Sequence, residues 1–338
     1  MSVFSKFINK CVSVLKHGIA WCIKLLKSLI EAGRTISYVE TVNPSQVDTL
    51  HKQLKWNDLR VLKKAFEEQV RKVLPKLRLG RVKVAVDVTE EPYWGKELFN
   101  TRPGVHTRSE GSWQFVNLSI VEPKFIPLMS LPYRQVDDLD ELVFELLNYL
   151  KTLPLKVSLV LFDRGFYHSK LIDFLEGKNR GWSRPYLIFV PKNKAMLKYI
   201  DETKKLGCFR HKMNYSLKKS KWKPTTNIVV CKGVGYNRCG KPLNWVFATN
   251  QKPSVSLVKT YRKRWNIETG FRIHDEAKIK SKSNNLIIRF FYHLVSMLLI
   301  LTWRVHNQIF QQTVFKRYLK QVEQTIHVVT KPPDKTFT

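Results

Sequence analysis

The sequence predicts a mixed α/β fold: a sheet flanked by helices, with a strand-rich basic insertion and an N-terminal helical domain. Three observations point there. Apolar residues recur at helical spacing through residues 1–80. The period then changes to two, with Val82, Val84, Val86 and Val88 alternating along a β-branched run. Further on, two continuous apolar runs at 157–162 and 186–190 are separated by a helical stretch, the pattern of strands buried on both faces.

The elements follow in order. Residues 3–31 form an amphipathic basic helix, suited to a membrane surface, a partner helix or a phosphate backbone. A second helical stretch starts at Ser45, a plausible N-cap, breaks near 55–58 and ends at Pro75 before Gly80. A strand at 82–88 contains Asp87, and two more strands are expected at 113–121 and 124–131. A helix at 137–152 opens on Asp137, Asp138, Asp140 and Glu141, acids that suit the positive end of a helix dipole, and Pro154 ends it. The run at 157–162 ends at Asp163, 168–177 is helical, and 186–190 is another strand. Residues 192–250 are rich in Lys and turn residues, with strand-like pieces at 227–231 and 243–248. A long helix is expected from Val255 past Glu276, then an apolar helix over 286–303. This order matches a ribonuclease H-like fold. The division expected is a basic, DNA-binding helical domain over 1–80, a catalytic domain over 81–310 with the insertion at about 192–250, and a C-terminal tail over 311–338.

Charge indicates the partner. The 338 residues carry 59 Lys and Arg against 27 Asp and Glu, a net +32, which points to a polyanion, most simply nucleic acid. Disorder is not implied, because 43% of the chain is hydrophobic and 12% aromatic. The excess is uneven. It is +11 over 1–86, −2 over 87–191, +18 over 192–284 and +5 over 285–338. An acidic centre between basic blocks is what a metal-dependent enzyme acting on DNA needs.

Five scattered cysteines suit a reducing cytosol rather than a disulfide framework. Cys208, His211, Cys231 and Cys239 can be read as a zinc set, although the second spacing is long for one. Lysines interrupt the apolar N-terminus, so no secretory h-region is expected. The 14 residues between Arg289 and Arg304 are short of the roughly 20 that a bilayer span needs, which favours a core helix and no membrane partner.

The carboxylates carry the chemistry. An ionised acid inside a strand, such as Asp87, needs a partner. Asp163 raises the same question at the end of the next buried strand. Brought together they repel unless a cation lies between them, and Mg²⁺ takes carboxylates, waters and phosphate. The bland readings are a Lys partner for Asp87 and a helix cap for Asp163. In the long helix Tyr261, Arg264, Glu268, Arg272 and Asp275 share one face, which is either a catalytic face or a surface ion-pair ladder.

The segments KVAVDVTEEPYWG, LVLFDRGFY and YRKRWNIETGFR, in that order, resemble the DDE transposases of prokaryotic insertion sequences. The resemblance covers roughly 81–305 and is closest to the branch with a Tyr-x2-Arg-x3-Glu-x6-Lys signature. It implies a ribonuclease H-like catalytic domain with Asp87, Asp163 and Glu268 as catalytic acids and ligands of two Mg²⁺ ions, with Mn²⁺ as a substitute. Tyr261 and Arg264 match the signature's Tyr and Arg near the DNA end. Asp275 stands where the signature has Lys, with Lys278, Lys280 and Lys282 just beyond. Arg272, Lys278, Lys192, Lys194 and Trp265 join the candidate DNA contacts, with Lys218, Lys219, Lys221, Lys223, Trp222 and Trp245 as further candidates.

The activity so implied is cut-and-paste transposition: cleavage at the element's terminal repeats, then attack of the freed 3′-OH on target DNA. The partners implied are double-stranded DNA and a second copy of the chain, in the nucleoid-containing cytoplasm of a prokaryote. The alternatives are a metal-dependent nuclease without strand transfer and a catalytically dead, transposase-derived DNA-binding protein.

Overall fold

The computed structural model describes residues 2–11, 19–35, 37–93, 99–103, 111–177, 182, 184–203, 205–217, 221–237, 239–310 and 312–330. In the basic N-terminal stretch, α1 (Ser2–Cys11) and α2 (Ile19–Thr35) are helical, and residues 12–18 lie outside the described residues. A short α3 (Val39–Val42) follows, then α4 (Pro44–Leu54) and α5 (Leu59–Val73). The α4 cap is Asn43, whose side chain accepts the Gln46 N–H, with Pro44 next inside; Ser45 is already helical. Asp58 caps α5 by accepting the Arg60 N–H at 2.9 Å, and this explains the break expected at 55–58.

Strands β1 (Arg81–Tyr93), β2 (Gly111–Glu122) and β3 (Ile126–Pro132) form an antiparallel meander. Helix α6 (Leu139–Lys151) is capped by Asp138 and leads to β4 (Lys156–Phe162), which lies parallel to β1. Helix α7 (Ser169–Glu176) leads to β5 (Tyr186–Phe189), parallel to β4. The first five strands therefore run β3-β2-β1-β4-β5, with helices packed on them. The mixed α/β fold class is the one the sequence predicts.

The Lys-rich stretch contains α8 (Lys194–Asp201), β6 (Phe209–Ser216), β7 (Thr225–Cys231) and β8 (Trp245–Thr249). These strands do not stand apart as a module. Strand β8 pairs antiparallel with β5, so one eight-stranded sheet runs β3-β2-β1-β4-β5-β8-β7-β6.

The long helix expected from Val255 is two helices, α9 (Ser256–Arg262) and α10 (Trp265–Glu276), with a turn at Lys263 and Arg264. Next comes α11 (Leu286–Ile309), long and apolar enough to cross a membrane by length and composition. Its most apolar window is 83% buried, so it is a core helix. It lies against β3 and α5, stacking Phe291 on Phe7 of α1 and His293 on Phe115 of β2. The region expected as a tail is helical as far as it is described. Helix α12 (Phe315–Thr330) packs on α2, with an Arg34–Glu323 ion pair. One continuous core runs from Phe4 through the sheet to Leu319. Each fully buried Leu or Phe in it contributes about 1.5–3 kcal/mol, so the helices are held firmly to the sheet.

Candidate active site: three carboxylates around one guanidinium

The parallel pairing of β1 and β4 places two acids side by side. Val86 is in register with Phe162, so Asp87 and Asp163 are the next residues on neighbouring strands. The carboxylate of Asp163 makes no cap bond to the turn that follows it, which leaves it free to face Asp87. Asp87 takes the N–H of Val88 on one oxygen at 2.9 Å.

Helices α9 and α10 bring the rest. Arg264, at the turn between them, donates from Nη1 to Asp87 at 2.8 Å and from Nη2 to Glu268 at 3.1 Å. The same Nη2 lies 3.9 Å from Asp163. Tyr261 donates its hydroxyl to Asp163 at 3.1 Å. The Arg264 side chain is only 7% exposed, against 18% for Asp87, 36% for Asp163 and 57% for Glu268. The ladder reading of Glu268 is therefore incomplete: its ion pair with Arg264 is joined to two strand-end acids.

The electrostatics follow from burial and this shared cation. The pKa of Asp87 is raised to about 6, chiefly by burial, with Asp163 and Glu268 adding to it and Arg264 and the Val88 N–H pulling against it. Burial opposes the charge on Arg264, but Tyr261 and the three acids outweigh it, and its pKa is raised. Burial raises the pKa of the Tyr261 hydroxyl, which keeps it a donor.

Not every predicted residue joins the site. Arg272 and Asp275 lie beyond Glu268 along α10: Arg272 is exposed and donates to Thr269 at 3.3 Å, while Asp275 faces Lys278 at 3.9 Å. Trp265 is 45% exposed and lies 6.5 Å from Trp245, with Arg262 over both rings. Trp245 itself is a core residue, 6% exposed. Lys192 and Lys194 are exposed beyond β5, and none of their contacts joins them to the acids. Lys221, Trp222 and Lys223 lie between β6 and β7, and Lys218 and Lys219 lie outside the described residues.

The zinc set does not assemble. Cys231 is buried against the Ser254 carbonyl and its thiol is pushed up to about 12 by burial, while Cys208 and Cys239 are exposed. Among the described residues no three His, Cys, Asp or Glu side chains are arranged to hold a metal ion. The three acids lie around the Arg264 guanidinium.

The sequence reading passed over a second polar group on the same face of β1. Glu91 is buried near Lys278 (3.9 Å) and His293 (3.7 Å). His293 in turn contacts Asn117 and Ser130, and Asn117 donates to Thr89. The available signal was parity: Asp87, Thr89, Glu91 and Tyr93 alternate on one side of a strand longer than the one expected.

Residues 138–303 match the family described as Transposase DDE domain, a span that includes Asp163, Tyr261, Arg264 and Glu268 and starts after Asp87. The fold is similar to that of the piggyBac transposase, solved as a synaptic complex with hairpin DNA. The TM-score is 0.64 at 9% identity, over 99% of this chain and 80% of that one. No curated protein matches the sequence. At 9% identity, the likeness to the piggyBac transposase shows a shared fold.

Proposed function

We propose that this protein is a transposase of the prokaryotic insertion-sequence type. It cuts DNA at the ends of its element and joins the freed 3′-OH to target DNA. The observation that carries the reading is the meeting of Asp87, Asp163 and Glu268, from two parallel strand ends and one helix, around a single cation.

That donor set is all carboxylate oxygen, which suits Mg²⁺ or Mn²⁺, and the shared guanidinium shows that the cluster takes positive charge. Asp87, Asp163 and Glu268 would hold the ions, and divalent ions bound there would supply an activated nucleophile and neutralise the leaving oxyanion. The chain's own contribution is positioning. Tyr261 orients Asp163 through its hydroxyl, and Arg264 keeps the acids together until metal loads. The signature's Tyr, Arg and Glu are Tyr261, Arg264 and Glu268, and Lys278, Lys280 or Lys282 takes the place of its Lys. The basic blocks supply DNA affinity through counterion release. Two element ends must be held at once, which calls for two copies of the chain.

The test is an end-joining assay with Mg²⁺ on DNA carrying the inverted repeats that flank the gene. Joined products from the repeats, and none from scrambled ends, support the reading. Cleavage without joining leaves only a nuclease, and binding without cleavage removes both enzymatic readings.

A further inference from the structure

Two elements lead away from the acids in one direction. Strand β1 runs from Asp87 to Glu91 and Tyr93, and α10 runs from Glu268 towards Lys278. At their far end lies a cavity of about 520 Å³ whose lining includes Tyr38, Tyr93, Lys278, Lys280, Lys282 and Arg289. Glu91 is the acid in this lining, and its charge is already engaged by Lys278. Among the described residues neither Lys280 nor Lys282 forms an ion pair. Both are exposed, and the Lys282 ammonium lies 5.2 Å from the centre of the Tyr38 ring.

The cavity is a seam between the N-terminal helices and the sheet. Val39 N–H donates to the Lys280 carbonyl at 2.9 Å, and Glu40 accepts the Lys282 N–H at 2.9 Å. These bonds fix the 278–285 segment so that its lysines line one wall. The seam continues through Asn284 into a second cavity of about 460 Å³ beside His51, Lys52 and Lys55. In the opposite direction along β1, Lys83 and Lys263 both pair with Glu122, and the exposed Arg81 stands six residues from Asp87. The seam carries two lysines that form no ion pair among the described residues.

We propose that this seam is the track along which the DNA strand leaves the acids. Lys280 and Lys282 contact a phosphate fewer than four nucleotides from the one being cut. The inference rests on the transposase reading for the location of the cut. The spacing comes from the strand: four residues of β1 span about 13 Å at roughly 3.3 Å each. DNA rises about 3.4 Å per nucleotide along its axis and the backbone winds around that axis, so the same distance along one strand is fewer than four nucleotides. A phosphodiester strand fits better than a free nucleotide because two cavities in line share Asn284 and both carry lysines.

The experiment measures binding of the full chain to duplexes that end at the element's cut point. Each duplex carries one neutral methylphosphonate linkage, moved stepwise along the strand. Lys280→Gln/Lys282→Gln is compared with wild type after thermal unfolding shows the two equally folded. In wild type, neutralising one linkage fewer than four positions from the cut weakens binding roughly tenfold, the effect of losing one charge-assisted contact. The double variant binds the unmodified duplex more weakly, loses sensitivity at that position alone, and has a log–log salt slope shallower by about 1. The proposal is overturned if wild type shows no sensitive linkage there, or if the double variant keeps the wild-type profile. Cleavage of the unmodified duplex by wild type is scored separately. Its failure counts against the transposase reading and leaves the binding profile to decide the track.

Discussion

Replacing Arg264 with Gln removes the guanidinium that Asp87, Asp163 and Glu268 share while keeping much of the side chain's volume. Glu268 is 57% exposed, and water takes over much of its loss. The cost therefore comes mainly from Asp87, 18% exposed and paired at 2.8 Å with a side chain that is 7% exposed. Breaking a buried pair from one side costs about 3–5 kcal/mol, and partial exposure argues for the lower end, about 3 kcal/mol. Unfolding entropy near 2.1 cal/mol/K per residue gives roughly 0.7 kcal/mol/K for a chain of 338 residues. Without divalent metal, Arg264→Gln should therefore lower Tm by about 4 °C if the chain unfolds as one unit. A divalent ion offers the acids a replacement cation, so adding Mg²⁺ should raise the variant's Tm by more than the wild type's and narrow the gap. The assay is thermal unfolding of both proteins in chelator and in Mg²⁺. The reasoning fails if the two proteins melt within about 1 °C of each other in chelator. It also fails if Mg²⁺ stabilises them equally, which would mean that the guanidinium is not holding a metal position.

Two further outcomes follow from packing and charge. Gly270 sits on α10 two residues after Glu268, and a Cβ there would meet the Phe125 ring at 2.2 Å. Gly270→Ala should push the helix from the sheet, lowering stability by about 1–3 kcal/mol and cleavage by more than the fold loss alone; cleavage per folded molecule checks this, and an unchanged value would show that α10 does not set the Glu268 position. Burial works against ionised Glu91, but Lys278 and the neighbouring His293 outweigh it and hold its pKa near 2, well below the ordinary 4.5. Its contribution to stability is full above about pH 4.5 and is lost as pH falls towards 2, about 3 kcal/mol in all. Denaturant unfolding of Glu91→Gln against wild type should show that gap near pH 7 and a much smaller one near pH 3; a pH-independent gap would mean that Glu91 matters only through packing.

Alternation at Val82, Val84, Val86 and Val88 located the strand holding Asp87, and the apolar run at 157–162 located the strand ending at Asp163. Both signals are local, so they were legible. The spacing of Tyr261, Arg264 and Glu268 was also legible, because it lies within two turns of chain. The helix break at 263–264 was not. Neither Gly nor Pro marks it, and there Arg264 is engaged with acids far away in sequence. Arg272 and Asp275 follow Glu268 on α10 itself, about one and two turns further along its axis, and that distance keeps them from the cluster. The addition of β6, β7 and β8 to the main sheet was equally hidden, since it depends on β8 pairing with β5 some 60 residues earlier. The Glu91 group needed both the full length of β1 and the position of α11.

The most direct measurement is Mg²⁺-dependent cutting of an inverted-repeat duplex by Asp87→Asn, Asp163→Asn, Glu268→Gln and wild type, with binding read on the same samples. If the three carboxylates act together, wild type cuts, and each variant loses cutting by a factor of about 1,000 or more while binding nearly as well. Wild-type cutting by any one of the three would remove that residue from the site. Equal loss of cutting and binding would place the acids in the fold rather than in the chemistry.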